Sequence, residues 1–381
     1  MTTCLQILDC FLPPHILKEI AQRGTPEQRE RALRTLVATE RFRAQRSVLT
    51  EMPGLAVRAL SAGKDRRVFD AGFGSELPGR LARGEGSPAT GDPAVDEAYD
   101  GSGLTYDLYF DVYGRNSIDG NGLRLDSTVH YQKGYDNAFW NGEQMVYGDG
   151  DEDLPVDQRL FNRFTIAQDI IAHELTHGVT QYTAQLNYWD QSGALNESAS
   201  DVFGVLAKQR GLNQTAAEAD WIIGAGLFSP RVRGVGIRSM RAPGTAYDDP
   251  VLGKDPQPAH MRDYQHVDYD NGGVHINSGI PNHAFYVTAR EIGGNAWEKA
   301  GRIWYVALSS RLSARSDFAE AARLTHQIAG EIFGANSLEQ KAVKTGWETV
   351  GVSLSDGGGG QGCLRLPVAL VASALSPGKR G

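Results

Sequence analysis

Two histidines four residues apart, with a glutamate beside the first, make His173-Glu174-Leu175-Thr176-His177 a pattern that can do metal chemistry. An α-helix turns about 100° per residue, so positions four apart share a face and two imidazoles can converge on one tetrahedral ion. Glu174 then stands beside that ion, placed to take a proton from a metal-activated water and later to return it to a leaving amine. The pattern is that of zinc peptidases, although a solvated helix can carry it by chance. Ile170-Ile171-Ala172 before it and Val179-Thr180 after it make the segment apolar, and imidazoles in a part-buried helix need a partner.

Two histidines still lack a third protein ligand. Glu197, in the helix-like stretch Gly193-Ala194-Leu195-Asn196-Glu197-Ser198-Ala199-Ser200-Asp201, is the candidate. Asp201 lies one turn further on the same face, where a carboxylate can orient a ligating imidazole and fix its tautomer, and Asn196 can serve the other histidine. In isolation Glu197 and Asp201 would read as surface acids of a helix; beside the histidine pair they read as ligand and support. A structural zinc site would close with four protein ligands and favour cysteine, whereas three ligands and a general base leave a position for water.

HELTH followed by GALNESASD resembles the thermolysin family of zinc endopeptidases. Asn137-Ala138-Phe139-Trp140-Asn141-Gly142, Met145-Val146-Tyr147-Gly148-Asp149-Gly150-Asp151 and Asp270-Asn271-Gly272-Gly273-Val274-His275-Ile276-Asn277-Ser278-Gly279 resemble it in the same order, over roughly residues 70 to 352. The resemblance implies an α+β, two-domain architecture, with a β-rich amino-terminal half, a helical carboxy-terminal half and the zinc helix on the cleft floor. It implies one catalytic zinc ion on His173, His177 and Glu197. Tyr188 and His275 would face the substrate oxygen, where donors stabilise developing charge, with Asp270 orienting His275. Asn137 and Ala138 would hold an extended peptide by its backbone, and Arg238, itself fixed by an acid, would bind a carbonyl beyond the cut. Phe161, Phe164, Ile170 and Ile237 would line an apolar primed-side pocket, implying cleavage before a large hydrophobic residue. A catalytically inactive zinc-binding homologue acting as a binding protein is the rival reading. Such a chain would be expected to have lost Glu174, a ligand or His275, and all are present.

The elements that must position these groups change character along the chain. Residues 68 to 165 are turn-rich with short alternations, as at 104–110 and 128–131, which predicts strands. After Thr165 the periodicity becomes helical, including 281–292, 296–312 and 317–333. The expected division is a leading segment 1–46, a β-rich half 47–190, a helical half 191–355 and a Gly-rich linker with a tail, 356–381.

Within the leading segment, Thr25-Pro26-Glu27-Gln28 predicts a capped helix running to Arg46. It sets Leu33, Leu36 and Val37 as an apolar stripe against Arg29, Arg31, Arg34, Arg41, Arg43 and Arg46. That basic remainder is either a solvated face or an inhibitory segment docked on an acidic cleft. Phe11-Leu12-Pro13-Pro14-His15-Ile16-Leu17, together with Gly224-Ala225-Gly226-Leu227-Phe228, resembles the protealysin-like subgroup of that family, whose members carry a short propeptide. The subgroup implies a precursor whose own propeptide is an intramolecular inhibitor, cut somewhere between Arg41 and Arg67. Cys10 could ligate zinc as a thiolate; a packing residue is the plainer reading.

Composition bounds the alternatives. With 38 basic and 46 acidic residues among 381, the formal charge of −8 argues against nucleic-acid binding. No apolar run is long enough for a membrane span, and peptide and protein substrates with a monomeric enzyme are expected. The three cysteines, Cys4, Cys10 and Cys363, lie near the ends and leave the catalytic body without a disulfide. Met1-Thr2-Thr3-Cys4 has no basic start, so secretion without a recognisable signal peptide is the leading expectation and cytoplasmic residence the alternative. Asp169 and Asp220 match acids of the family's paired calcium site, but Lys208, Ile222 and Ala225 stand where it supplies further carboxylates. Val235 and Phe228 likewise replace groups of a further calcium loop. Zinc is therefore expected, with little dependence on calcium.

Overall fold

The computed structural model describes residues 9–49 and 63–354, with side chains described for all of these except 9 and 40–49. The Gly-rich tail and residues 50–62 of the expected cleavage region lie outside the described residues. Six short strands, β1 (Asp9–Cys10), β2 (Arg66–Asp70), β3 (Arg80–Gly84), β4 (Leu125–Val129), β5 (Ala138–Trp140) and β6 (Met145–Tyr147), form one sheet in the order β1-β5-β6-β4-β2-β3. β4 is buried along its whole length and pairs in parallel with β2 and β6, while β5 and β6 pair antiparallel. The leading segment supplies the edge strand: β1 lies antiparallel on β5, with Cys10 opposite Phe139.

Two further elements belong to that segment, α1 (Pro14–Arg23) and α2 (Pro26–Leu49). The start of α2 is as expected: Thr25 N–H donates to Gln28 Oε1 at 2.9 Å and Gln28 N–H returns to Thr25 Oγ1 at 3.4 Å. Its expected buried stripe is wrong. Leu33 and Val37 are 53% and 52% exposed, while Gln28, Arg31, Ala32, Thr35, Ala38 and Thr39 face inward. The surface beneath α2 is polar and close, so it selects small and hydrogen-bonding side chains: Gln28 Nε2 donates to Gln158 O and Asp136 N–H donates to Thr35 Oγ1.

The predicted strand at 104–110 is also wrong. Those residues end α3 (Pro93–Asp107) and enter a single π turn, Leu108–Val112. Asp92 caps the amides of Ala94 and Val95, and Pro93 occupies the first turn, so the helix is started well upstream of the ambiguous alternation. Tertiary packing then holds it: α3 crosses α4 (Gln168–Gln181) so closely that a Cβ on Gly101 would lie 2.4 Å from Ile171 Cδ1.

His130, just beyond β4, ties this half together. Its Nδ1 lies 2.7 Å from Asp149 Oδ2 and its Nε2 3.0 Å from Asp92 Oδ2, linking two loops to the cap of α3. The Asp149 hydrogen bond, opposed by burial and helped by Asp92, raises its pKa from 6.5 to about 9. A raised folded-state pKa means stabilisation that is complete below the unfolded value and is lost as pH rises through the folded one. His130→Asn should therefore lower Tm clearly at pH 6 and much less at pH 10. A Tm difference independent of pH over that range would refute this role.

After α4 the chain is helical: α5 (Asp190–Leu212), α6 (Asp270–Asn277), α7 (Gly279–Ile292), α8 (Ala300–Ser310), α9 (Phe318–Phe333) and α10 (Leu338–Thr349). The last four include the predicted helices, with Asp317 and Ser337 capping α9 and α10. The result is the expected α+β architecture, in which a β-containing half and a helical half meet at the buried helix α4. Among the described residues no helix is long and apolar enough to cross a membrane.

Candidate active site

α4 is buried from Asp169 to Thr180, and its histidines face α5. The Nε2 atoms of His173 and His177 are 3.1 Å apart. Glu197 on α5 brings Oε2 to 3.5 Å from His173 Nε2 and Oε1 to 3.5 Å from His177 Nε2. On the far side of the rings, His173 Nδ1 is 2.8 Å from Asp201 Oδ1 and His177 Nδ1 is 2.9 Å from Asn196 Oδ1. Both acceptors require a proton on Nδ1, so both Nε2 lone pairs point at the same place. Two lone pairs and a carboxylate facing one point repel unless a cation lies among them. The three ligand atoms fall within 4.8 Å of one another, and Glu197 Oε2 is buried without a hydrogen bond. Two imidazole nitrogens and one carboxylate, with room for a further ligand, fit zinc.

Glu174 turns from the ligand face towards β5, where Trp140 N–H donates to its Oε2 at 3.0 Å. Across the cleft Tyr188 OH lies 3.2 Å from His275 Nε2 and hydrogen-bonds Glu197 Oε1. His275 is placed by an unusual helix start: Asp270, Asn271, Gly272 and Gly273 all have positive φ. This turn brings Asp270 Oδ1 to 2.6 Å from His275 Nδ1, and Oδ2 accepts His275 N–H at 3.0 Å. Glycine is required in it, because a Cβ on Gly272, at φ +80, would also approach Asp190 N to 3.2 Å. Burial opposes charge on His275, but Asp270 and Glu197 outweigh it and raise the pKa to about 9.

Arg238 is fully buried on β8 (Arg238–Ser239), which pairs with β7 (Ile222–Ile223). The acid that fixes it is Asp201, which accepts from Nε at 2.8 Å and Nη2 at 2.7 Å, and which also orients His173. Burial would raise the Asp201 pKa; Arg238 and His173 hold it down to about 2.

The leading segment passes through this site. Phe11 N–H donates to Ala138 O at 3.0 Å and Leu12 N–H to Asn137 Oδ1 at 2.8 Å. His275 Nε2 lies 3.0 Å from Cys10 O, and Arg238 Nη1 is 3.5 Å from Phe11 O. The Phe11 ring stands edge-on to His173 at 5.4 Å between centroids, with the Arg238 guanidinium 4.9 Å from its centre. Gly224 forms part of its wall: a Cβ there would lie 3.3 Å from Ile237 Cγ1 and 3.4 Å from Phe11 Cζ. Phe161, Phe164, Ile170 and Ile237 belong to the same buried cluster as Phe11. The thiolate reading of Cys10 gives way to the packing one. Its backbone carbonyl faces His275, while the residue packs with Tyr131, Tyr135, Phe139 and Val146.

Three contributors were missed from sequence. The Trp140 amide lies inside a motif already singled out, and Gly224 lies in a stretch noted only for its subgroup resemblance. Asn282, which donates to Asp201 Oδ2 at 2.8 Å, carried no local signal.

Behind the pocket wall, Lys208 Nζ lies 2.8 Å from Asp169 Oδ2, 3.0 Å from Asp220 Oδ1 and 2.6 Å from Ile222 O. Asp169 Oδ1 accepts Gly224 N–H at 3.2 Å, so this cluster braces the turn that walls Phe11. An ammonium already neutralises these oxygens. Selective calcium removal with zinc held constant should leave Tm nearly unchanged, whereas Lys208→Met should lower it by the equivalent of about 3 kcal/mol, because two carboxylates lose their partner. A large Tm loss on calcium removal alone would overturn this.

A helix-borne histidine pair, a glutamate from the next helix and a second buried glutamate beside them, set at the junction of two halves, define a zinc metalloendopeptidase. The profile described as thermolysin metallopeptidase, catalytic domain, matches residues 81–181, and that of the alpha-helical domain matches 184–352. The chain belongs to the thermolysin family and is protealysin-like within it. It is 51% identical to an "Extracellular metalloprotease" of Pectobacterium carotovorum subsp. carotovorum over 90% of this chain and 96% of that one. It is 45% identical to "Protease PrtS" of a Photorhabdus species, over 91% and 92% of the two chains. The solved precursor of protealysin, a metalloproteinase from Serratia proteamaculans, superposes with a TM-score of 0.81 at 48% identity, covering 91% of this chain and 100% of that one.

Proposed function

We propose that this chain is the precursor of a secreted, monomeric neutral endopeptidase that cuts on the amino-terminal side of large hydrophobic residues, with its leading segment as its own inhibitor. The observation that carries this reading is the seating of residues 10–12: an extended chain pairs with β5, presents a carbonyl to His275 and places a phenylalanine in an apolar pocket. In this reading residues 1–46 are the propeptide, 47–190 and 191–355 the two halves of the peptidase, and 356–381 a linker and tail. The extracellular relatives favour export; zinc is the working metal and calcium has no major part.

His173, His177 and Glu197 would hold the zinc, which supplies Lewis acidity and a water acidified towards neutral pH. Glu174, held by the Trp140 amide, is the base for that water and carries its proton to the nitrogen of the leaving residue. Ala138 O positions that nitrogen as it now positions Phe11 N. His275 and Tyr188 donate to the carbonyl oxygen as it gains charge, with Asp270 keeping the His275 ring aligned. Arg238 and Asn137 hold the backbone beyond the cut, and Phe161, Phe164, Ile170 and Ile237 give the pocket its apolar character. Mass analysis of peptides cut by the processed enzyme should find Leu, Phe, Ile or Val directly after most cuts. A preference for charged residues there would contradict the pocket assignment.

A further inference from the structure

Arg31 is a buried cation of α2, only 4% exposed, whereas Arg29 and Arg34 of the same helix are exposed. Its guanidinium makes a planar fork on Asp153, with Nη1 2.6 Å from Oδ1 and Nη2 2.9 Å from Oδ2. Asp151 Oδ1 lies 3.6 Å from Nη1. That carboxylate is fixed from behind, since Oδ2 accepts the amides of Leu160 at 2.9 Å and Phe161 at 3.3 Å. Asp136 is 3% exposed, interacts electrostatically with both Asp151 and Arg31, and packs under the same helix through its amide bond to Thr35.

The peptidase body is therefore shaped and charged for this one group. Asp136 Oδ1 and Asp151 Oδ1 are buried without hydrogen bonds, and Arg31 Nη1 approaches the second of them at 3.6 Å. Gly134 supplies the shape: a Cβ there would lie 2.6 Å from Arg31 Nη1 and 3.0 Å from Cζ, so only glycine lets a flat guanidinium lie on the backbone. A bidentate carboxylate and a flat backbone floor suit guanidinium better than a compact ammonium or a metal ion, which lack a planar fork.

We propose that Gly134, Asp136, Asp151 and Asp153 form a guanidinium-recognition pocket on the peptidase body, filled by Arg31 in the full chain and open to an arginine side chain of another polypeptide once the leading segment has gone. The second half rests on the precursor reading above. Burial and the nearby Asp151 push the Asp136 carboxyl well above the usual range, so it can act as a neutral hydrogen-bonding group in the filled pocket. The Arg31 hydrogen bond holds Asp153 below its ordinary value, so it supplies the charge. Just before β5, Asn137 receives the amide of Leu12, two residues beyond the carbonyl held by His275, and Asp136 immediately precedes it. The pocket thus adjoins the carboxyl-terminal side of a bound chain, where an arginine could be read.

The test uses the full chain carrying Glu174→Gln to prevent processing, with and without Arg31→Ala, and melting temperature as readout. Arg31→Ala should lower Tm by several degrees, and millimolar propylguanidinium should restore most of that loss while leaving the parent unaffected. Adding Asp153→Ala to the Arg31→Ala chain should abolish the response. The processed enzyme, whose pocket needs no substitution to be open, should also be stabilised by propylguanidinium, more than by propylamine and more than by calcium. Failure of both the Arg31→Ala chain and the processed enzyme to respond would overturn the pocket, as would an equal response with Asp153→Ala or a response to calcium alone. These arms read binding, so a chain that hydrolyses no peptide would count against the proposed function and not against the pocket.

Discussion

Replacing Glu174 with glutamine should lower peptide hydrolysis by about 10²–10⁴-fold or more while one zinc ion per chain remains bound. The substitution keeps volume and keeps an oxygen to accept the Trp140 amide, which now lies 3.0 Å from Oε2. It removes only the basicity. The donor set at His173, His177 and Glu197 does not include Glu174, so metal content measured on the purified variant should match that of the parent. His173→Ala should instead lose metal and activity together, because its Nε2 belongs to that set. Turnover near parental level in the Glu174→Gln enzyme would remove the base role, and loss of zinc would show that Glu174 is needed for the site itself.

Phe11→Ala should turn a latent full-length chain into a measurably active one. Phe11 is wholly buried against His173, Arg238 and Gly224, and truncating such a side chain costs about 3–5 kcal/mol, an increase of about 10²–10⁴-fold in the fraction of molecules with an open cleft. The measurement is the initial rate on a short fluorogenic peptide, with mass analysis showing the chain still intact. Phe11→Leu serves as control, since the pocket that takes phenylalanine should take leucine and keep the cleft closed. Intact Phe11→Ala chain that stays as silent as its parent would overturn docking through this residue.

Most of the candidate site was legible in the sequence because its parts are local. His173 and His177 share a helical face, Glu197, Asn196 and Asp201 lie within two turns of one another, and Asp270 precedes His275 by a single turn of chain. Contacts made by backbone groups were invisible, since an amide such as that of Trp140 has the same chemistry at every position. The strand reading of 104–110 failed because alternating aromatics and aliphatics fit either period over a few residues, and the decision lay upstream at Asp92 and Pro93. The α2 stripe failed for a different reason. Amphipathic logic assumes an apolar partner surface, but α2 lies on carboxylates and carbonyls, so Arg31 and Thr35 turn inward and Leu33 and Val37 outward. Asp201 shows the limit from the other side: sequence pointed to its imidazole, but Arg238 reaches it from 37 residues away.

The Lys208 ammonium has a consequence for the conditions under which the enzyme can work. A bound ion is in exchange with its surroundings, so the element it braces is only as firm as the supply of that ion. A side-chain cation is tethered to the chain it serves and cannot be diluted or chelated away. Burial opposes its charge, but Asp169 and Asp220 prevail and raise its pKa above 10.5, so this brace is lost only when the medium is alkaline enough to discharge it. The turn that walls the Phe11 pocket is thereby braced by a cation that answers to proton concentration.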